Sequence, residues 1–136
     1  MNTIVDTCIW SYALRRRDNP MDHAITKQLN QLIQQRKIIM LGAIRQEILS
    51  GIRHEAQFER IRIKLRTFPD YPVSISDVET AAQFYNRCRI NGIQGSNTDF
   101  LLCAVAYCHD FTVFTYDKDF YHFRQHVDFK LDLVEV

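Results

Sequence analysis

Short apolar segments alternate with longer stretches of helical periodicity along this chain, and that alternation constrains its fold more than any other feature. Thr3-Ile4-Val5 reads as a buried strand that stops at Asp6, and helical pattern follows through Leu14. Asn19-Pro20 signals the next helix, with Asn as cap and Pro at the first helical position. Met21, Ile25, Leu29, Leu32 and Ile33 keep its helical spacing. Ile38-Ile39-Met40-Leu41 is a second strand bounded by Gly42, and Ile44, Ile48, Leu49 and Ile52 share one face of the helix behind it, with Gly51 near its end. From His54 to Phe68 two periods compete. Arg60-Ile61-Arg62-Ile63-Lys64-Leu65-Arg66 alternates like a strand, whereas Phe58, Ile61, Leu65 and Phe68 suit a helix; with no turn residue interrupting, helix is favoured. Val73 and Ile75 suggest a short third strand. Ser76-Asp77-Val78-Glu79 then has the form of a capping box opening a helix that Gly92 ends. Asn97-Thr98-Asp99 opens a helix from Phe100 to His109, Val113-Phe114 is a fourth strand, and Leu131 to Val136 a fifth. Strands separated by one or two helices predict an α/β fold: a mostly parallel central sheet of about five strands, flanked by helices on both faces.

The length of 136 residues, without repeat or linker, predicts one domain over 1–136. Hydrophobic residues at 46% and charged residues at 24% exclude disorder, and four Gly with three Pro exclude collagen-like and low-complexity classes. No apolar run approaches the roughly 20 residues of a membrane span. The opening Met1 to Asp6 lacks the basic region of a secretory signal, so a cytoplasmic location is expected. Seventeen Lys and Arg against sixteen Asp and Glu leave a formal charge of +1, which argues neither for nor against a nucleic-acid partner. The cysteines, Cys8, Cys88, Cys103 and Cys108, form no C-x-x-C pair and read as reduced thiols. A zinc site from Cys103, Cys108 and His109 lacks a second ligand pair at metal spacing.

Four acids lie where this topology collects ligands. In an open parallel sheet the default binding place is the crevice beyond the carboxyl ends of the strands. Asp6 ends the first strand, and Asp117 follows the fourth in Thr115-Tyr116-Asp117. Glu47 lies about one helical turn beyond the second strand, and Asp99 sits in the first turn of its helix. Each has an ordinary alternative: a cap for Asp6, a solvated helix face for Glu47, a dipole partner for Asp99, a polar turn for Asp117 with Lys118 and Asp119. Together at one rim they would repel one another unless a cation were present. Such a cluster most simply holds Mg²⁺ or Mn²⁺, and the chemistry it implies is hydrolysis of a phosphodiester.

These residues resemble a known family. Ile4-Val5-Asp6-Thr7 is similar to the opening of a PIN-domain nuclease. Gln46-Glu47-Ile48-Leu49-Ser50-Gly51 resembles its second acidic motif, Asn97-Thr98-Asp99-Phe100-Leu101-Leu102-Cys103-Ala104 its third, and Thr115-Tyr116-Asp117-Lys118-Asp119-Phe120 its fourth. Order, spacing and length agree over essentially the whole chain, and the compact length resembles the VapC-type toxins of bacterial toxin–antitoxin pairs. The resemblance implies a Mg²⁺- or Mn²⁺-dependent endoribonuclease, cytoplasmic, dimeric, and neutralised by a small antitoxin. It makes Asp6 and Asp99 the surest metal ligands and Asp117 a third, held directly or through water. Glu47 would complete the catalytic set, Thr115 would orient Asp117, and Thr7 would line the site. Cys103 departs from the family pattern, where a small or branched apolar residue is commoner, and Asp119 is an additional acid.

An RNA substrate requires cations for its phosphates. Arg15 and Arg16, with Arg17, follow the first helix and could flank the site; Arg60, Arg62, Lys64, Arg66, Arg87 and Arg89 are further candidates, although charge runs are more often a solvated face. Trp10, Tyr12, Tyr116 and Tyr121 are candidate base-stacking rings, Trp10 and Tyr12 being more often core, and His122 a candidate acid or base. A haloacid-dehalogenase-like phosphatase wants a second Asp two residues after the first, where this chain has Cys8. The competing class is a noncatalytic RNA- or protein-binding module on the same fold; a bare acidic pocket that repels RNA argues against it.

Overall fold

The computed structural model describes residues 1–15 and 23–135. Its elements run β1 (Thr3–Val5), α1 (Thr7–Arg15), α2 (His23–Gln34), β2 (Ile38–Ile39), α3 (Gly42–Ser50), α4 (Glu55–Leu65), α5 (Ile75–Ile90), α6 (Asn97–His109), β3 (Thr112–Thr115), α7 (Asp119–Arg124) and β4 (Lys130–Leu133). The helix start expected at Asn19-Pro20, with Met21, lies outside the described residues.

The four strands form one sheet in the order β2-β1-β3-β4, with every pairing parallel. Thr3 pairs with Ile38 on one side and Thr112 on the other, and Val5 with Phe114. Parallel neighbours need crossovers, and the helices supply them. All three residues of β1 and three of the four in β3 are buried, which is the mark of strands covered on both faces. The core around them is aromatic-rich, with Trp10, Phe100, Phe114, Phe120 and Phe123 all at most 2% exposed.

The sheet has four strands where about five were expected. Among the described residues, no strand forms at Val73 and Ile75. Ser74 between them caps α5: its hydroxyl accepts from the Asp77 N–H, and the Asp77 carboxylate accepts from the Ser74 N–H. The capping box therefore sits two residues earlier than Ser76 and Glu79, because Asp77 is also bound from the other side by His109. Ile75 is left 78% exposed, since it belongs to the first turn of a helix and not to a sheet. The stretch after His54 is helical as expected. Gly92 adopts φ +77°, a left-handed turn that ends α5 at low cost.

The topology fixes where the site must be. β1 and β3 are adjacent and parallel, so Asp6 and Thr115 emerge side by side at one edge, joined by the bond from Asp6 N–H to Phe114 O at 2.9 Å. α6 leads into the start of β3, so it runs back along the sheet and brings its own N-terminus, with Asp99, to that edge.

Candidate active site

The four acids that the sequence placed at one rim line one cleft of about 650 Å³, together with Thr7 and Cys8 from α1, Ala43, Gln46 and Ser50 from α3, and Thr98 from α6. Each acid is set by a different local rule. Asp6 closes β1 and starts α1: its carbonyl accepts from the Ile9 and Trp10 N–H groups, as an N-cap carbonyl does. Its carboxylate is 6% exposed and accepts from Thr7 N at 2.8 Å, from the Thr115 hydroxyl at 2.8 Å and from the Cys8 thiol at 3.5 Å. Burial pushes its pKa up to about 6, against the pull of the Thr115 bond, and the charge of Asp99 pushes in the same direction as burial.

Asp99 is the third residue of α6 and half of a capping box. Ser96 N donates to its Oδ2 at 3.1 Å, and Asp99 N donates to Ser96 Oγ at 3.0 Å. That box fixes the carboxyl and leaves Oδ1 outside it. Burial raises the Asp99 pKa, the Ser96 bonds oppose the rise, and the charges of Asp117 and Glu47 add to it. Asp117 is held by its backbone, whose N–H donates to Thr115 Oγ1 at 3.0 Å, while its Oδ1 accepts from Asp119 N at 2.9 Å. This i to i+2 bond is an Asx turn, and it leads the chain into α7. Glu47 is exposed on α3 and accepts the Thr7 hydroxyl through Oε1 at 2.6 Å.

Thr115 joins the set. Its buried hydroxyl donates to Asp6 and accepts from the Asp117 backbone, so one oxygen ties the ends of β1 and β3. Thr7 links Asp6 and Glu47 with two groups, its backbone N–H donating to Asp6 and its hydroxyl to Glu47. Arg15 ends α1, and Arg16 lies outside the described residues. Trp10 is 2% exposed against Phe68 and belongs to the core, while Tyr12 and Tyr116 pack edge to face at 6.2 Å.

Two participants were missed by the sequence reasoning. Cys8 faces both Asp6 and Thr115, its sulfur 3.3 Å from Thr115 Oγ1. Burial, then the Asp6 charge, pushes its pKa up to about 12, so it stays a protonated donor and not a nucleophile. Ser96 orients Asp99, and the signal was present as Ser-x-x-Asp across residues 96–99.

The donor set suits a hard cation: four carboxylates in one cleft, two of them with raised pKa values through burial and mutual charge. Among the described residues, no three His, Cys, Asp or Glu side chains converge closely enough to hold an ion by themselves. Magnesium is commonly held by one or two carboxylates with water completing its shell, so the cleft fits that mode. The same finding removes the zinc site: Cys103 is buried, Cys108 exposed, and His109 is bonded to Asp77. No described helix is long and apolar enough to cross a membrane.

The family model for the PIN domain matches residues 3–125. Among solved structures, VapBC2 from Rickettsia felis, bound to a DNA fragment from its promoter, superposes with a TM-score of 0.78 at 17% identity, covering 99% of this chain and 100% of that one. FitAcB from Neisseria gonorrhoeae gives 0.75 at 19% identity over 95% of each chain. VapBC-5 from Mycobacterium tuberculosis, a member of the VapBC family of toxin–antitoxin systems, gives 0.65 at 15% identity over 99% of this chain and 98% of that one. At such identities the likeness is one of fold. No curated protein matches the sequence.

Proposed function

The chain belongs to the PIN domain family, and from that premise we propose that residues 1–136 are a Mg²⁺- or Mn²⁺-dependent endoribonuclease, the toxin of a toxin–antitoxin pair. The observation that carries the reading is the meeting of Asp6, Glu47, Asp99 and Asp117, from four separate elements, in one cleft. Asp6, Asp99 and Asp117 are the proposed ligands, one or two of them holding the ion directly and the remainder through water. When bound, the ion supplies positive charge against a phosphodiester and acidifies water.

The chain's own residues do the rest. Thr115 fixes Asp6 and the Asp117 backbone relative to each other, so the two acids present a constant spacing. Ser96 holds Asp99 by one oxygen and leaves the other for the cleft. Glu47 is exposed, kept in place by Thr7, and is the carboxylate best set to take a proton from water. Arg15 and Arg16 are the proposed phosphate contacts. The toxin–antitoxin assignment is supported by the fold-level likeness to VapBC structures, and it brings a small protein antitoxin, a homodimer and a cytoplasmic site of action as parts of the same reading.

The test is cleavage of total RNA by the purified protein with Mg²⁺ or Mn²⁺ and with chelator, beside Asp99→Asn. The expected result is metal-dependent cutting that drops by at least about a hundredfold in the variant. Equal cutting by both proteins, or no cutting together with no metal binding, defeats the reading and leaves a noncatalytic binding module. Sedimentation equilibrium reads the dimer: a mass of 16.1 kDa alone at micromolar concentration would remove it.

A further inference from the structure

We propose that Gln46 and Ser50, inside the carboxylate cleft, bind the ribose 2′-hydroxyl beside the scissile phosphodiester and so make the site prefer RNA to DNA. The inference rests on the ribonuclease reading and assigns a part of the substrate that the four acids leave unread. α3 turns one face to the cleft, and Gln46, Glu47 and Ser50 line it together. Gln46 and Ser50 stand four residues apart, one helical turn, so they flank Glu47 on that face. Both are exposed, and among the described residues neither side chain has a hydrogen-bond partner. Two other small polar groups of the cleft are already engaged. The Thr7 hydroxyl donates to Glu47, and the Cys8 thiol sits between Asp6 and Thr115.

The acids alone cannot separate a ribose from a deoxyribose. An ion held among them meets a phosphate, and both sugars carry one. Ionised carboxylates accept hydrogen bonds and never donate them, so a 2′-hydroxyl set among them finds no donor for its own oxygen. That hydroxyl both donates and accepts, and it is the group by which a protein tells RNA from DNA. A carboxamide and a serine hydroxyl each offer both functions in return. The 2′-hydroxyl is borne by the carbon next to the one that carries the phosphodiester oxygen. A group that reads it must therefore stand beside the acids, which is where Gln46 and Ser50 are. Polar residues on an ordinary solvated helix face would point away from the cleft; these two line it.

The full-length protein, in Mn²⁺, is given an oligoribonucleotide spanning a cut site mapped on total RNA. The same strand carrying one 2′-deoxy residue on either side of the cut is run beside it. kcat/KM is read for wild type, Gln46→Ala and Ser50→Ala; both positions are exposed, so the variants keep the fold. Wild type is expected to favour the all-ribose strand about tenfold at one of the two positions, the size of one or two exposed hydrogen bonds. Each variant should slow on the all-ribose strand by about two- to tenfold and keep its rate on the deoxy strand. Equal slowing on both strands, or an unchanged ratio in both variants, would overturn the proposal. A second readout needs no cutting: fluorescence anisotropy of Asp99→Asn with all-ribose and all-deoxy strands of one sequence. Tighter binding of the ribose strand, lost when Gln46→Ala or Ser50→Ala is added, upholds the contact. That result with a wild type that cuts no RNA would keep the hydroxyl site and defeat the nuclease reading. Metal-dependent cutting that ignores the 2′ position would do the reverse, so the two fail separately.

Discussion

At the scale of single residues, Asp6 sets the electrostatics of the cleft. Its pKa near 6 means that the folded chain keeps a proton on this carboxyl that the unfolded chain has already released above pH 4. The folded state therefore binds more protons between about pH 4 and 6, and its stability falls as pH rises through that window. The shift corresponds to on the order of 3 kcal/mol against the ion-free fold at neutral pH. Asp6→Asn removes that penalty: the variant should melt higher than wild type at pH 7.5 in chelator, and should be inactive. A lower melting midpoint would mean that the Asp6 charge is already compensated. The same proton competes with the ion, so RNA cleavage should decline as pH drops below about 6, read in a pH–rate profile. Thr115→Val deletes the hydroxyl between Asp6 and Asp117 and leaves buried polar atoms unpaired. A loss of about 1–3 kcal/mol in a denaturant melt is expected, with activity down at least about tenfold from the displaced acids. The acids themselves were legible because Asp after an apolar triplet and Asp before an Ala-rich run are local patterns. Cys8 was not, because a thiol between Asp6 and Thr115 depends on two chain segments 107 residues apart.

At the scale of elements, the capping boxes show what local sequence does and does not decide. Ser96 with Asp99 and Ser74 with Asp77 are the same device at two helix starts, one serving the cleft and one the opposite end of α6. The sequence offered two overlapping boxes near α5, Ser74 with Asp77 and Ser76 with Glu79, and nothing local separates them. The choice was made from outside the helix. Asp77 is 1% exposed and meets His109 at 3.0 Å, and Tyr71 reaches the other nitrogen of that ring at 3.1 Å. Those bonds cross from α5 to α6. Burial pushes the Asp77 pKa up, but the Ser74 N–H bond, and after it the bond and charge of His109, outweigh burial and hold the carboxyl below its ordinary pKa. Its contribution to stability is thus present above about pH 4 and lost as pH falls through the lowered value. Asp77→Ala should cost about 1–3 kcal/mol, the loss of a cap plus the loss of the bond to the half-buried His109. Ser96→Ala should cost only about 1 kcal/mol, at an exposed cap; it keeps the Ser96 N–H bond to the Asp99 carboxylate and frees only the Asp99 backbone N–H, so metal binding should weaken no more than modestly. If Ser96→Ala loses metal binding altogether in calorimetry, the Ser96 N–H is not brace enough for Asp99.

At the scale of the molecule, the parallel order β2-β1-β3-β4 converts four scattered acids into one cleft. Alternation of strand and helix was enough to foresee a parallel sheet and the edge at which acids gather. The strand count was not, because a two-residue run of β-branched residues around Ser74 carries no sign of which side its hydrogen bonds fall on. If the cleft holds a divalent ion, saturating Mg²⁺ or Mn²⁺ should raise the melting midpoint of wild type and leave that of Asp99→Asn unmoved; ligand at a hundredfold over its Kd adds about 2.7 kcal/mol. No rise in wild type would count against an ion in the cleft.

The bond between Thr115 and Asp6 spans 109 residues of chain. A ribosome adding about 5–20 residues each second takes roughly 5–20 s to go from one to the other. Throughout that interval Asp6 is exposed on a nascent chain that has neither β3 to pair with nor Asp117 to complete the acidic set. The carboxylate cleft is thus among the last parts of the protein to exist, and on the ribonuclease reading proposed above a nascent chain cannot cut its own message before that message has been read.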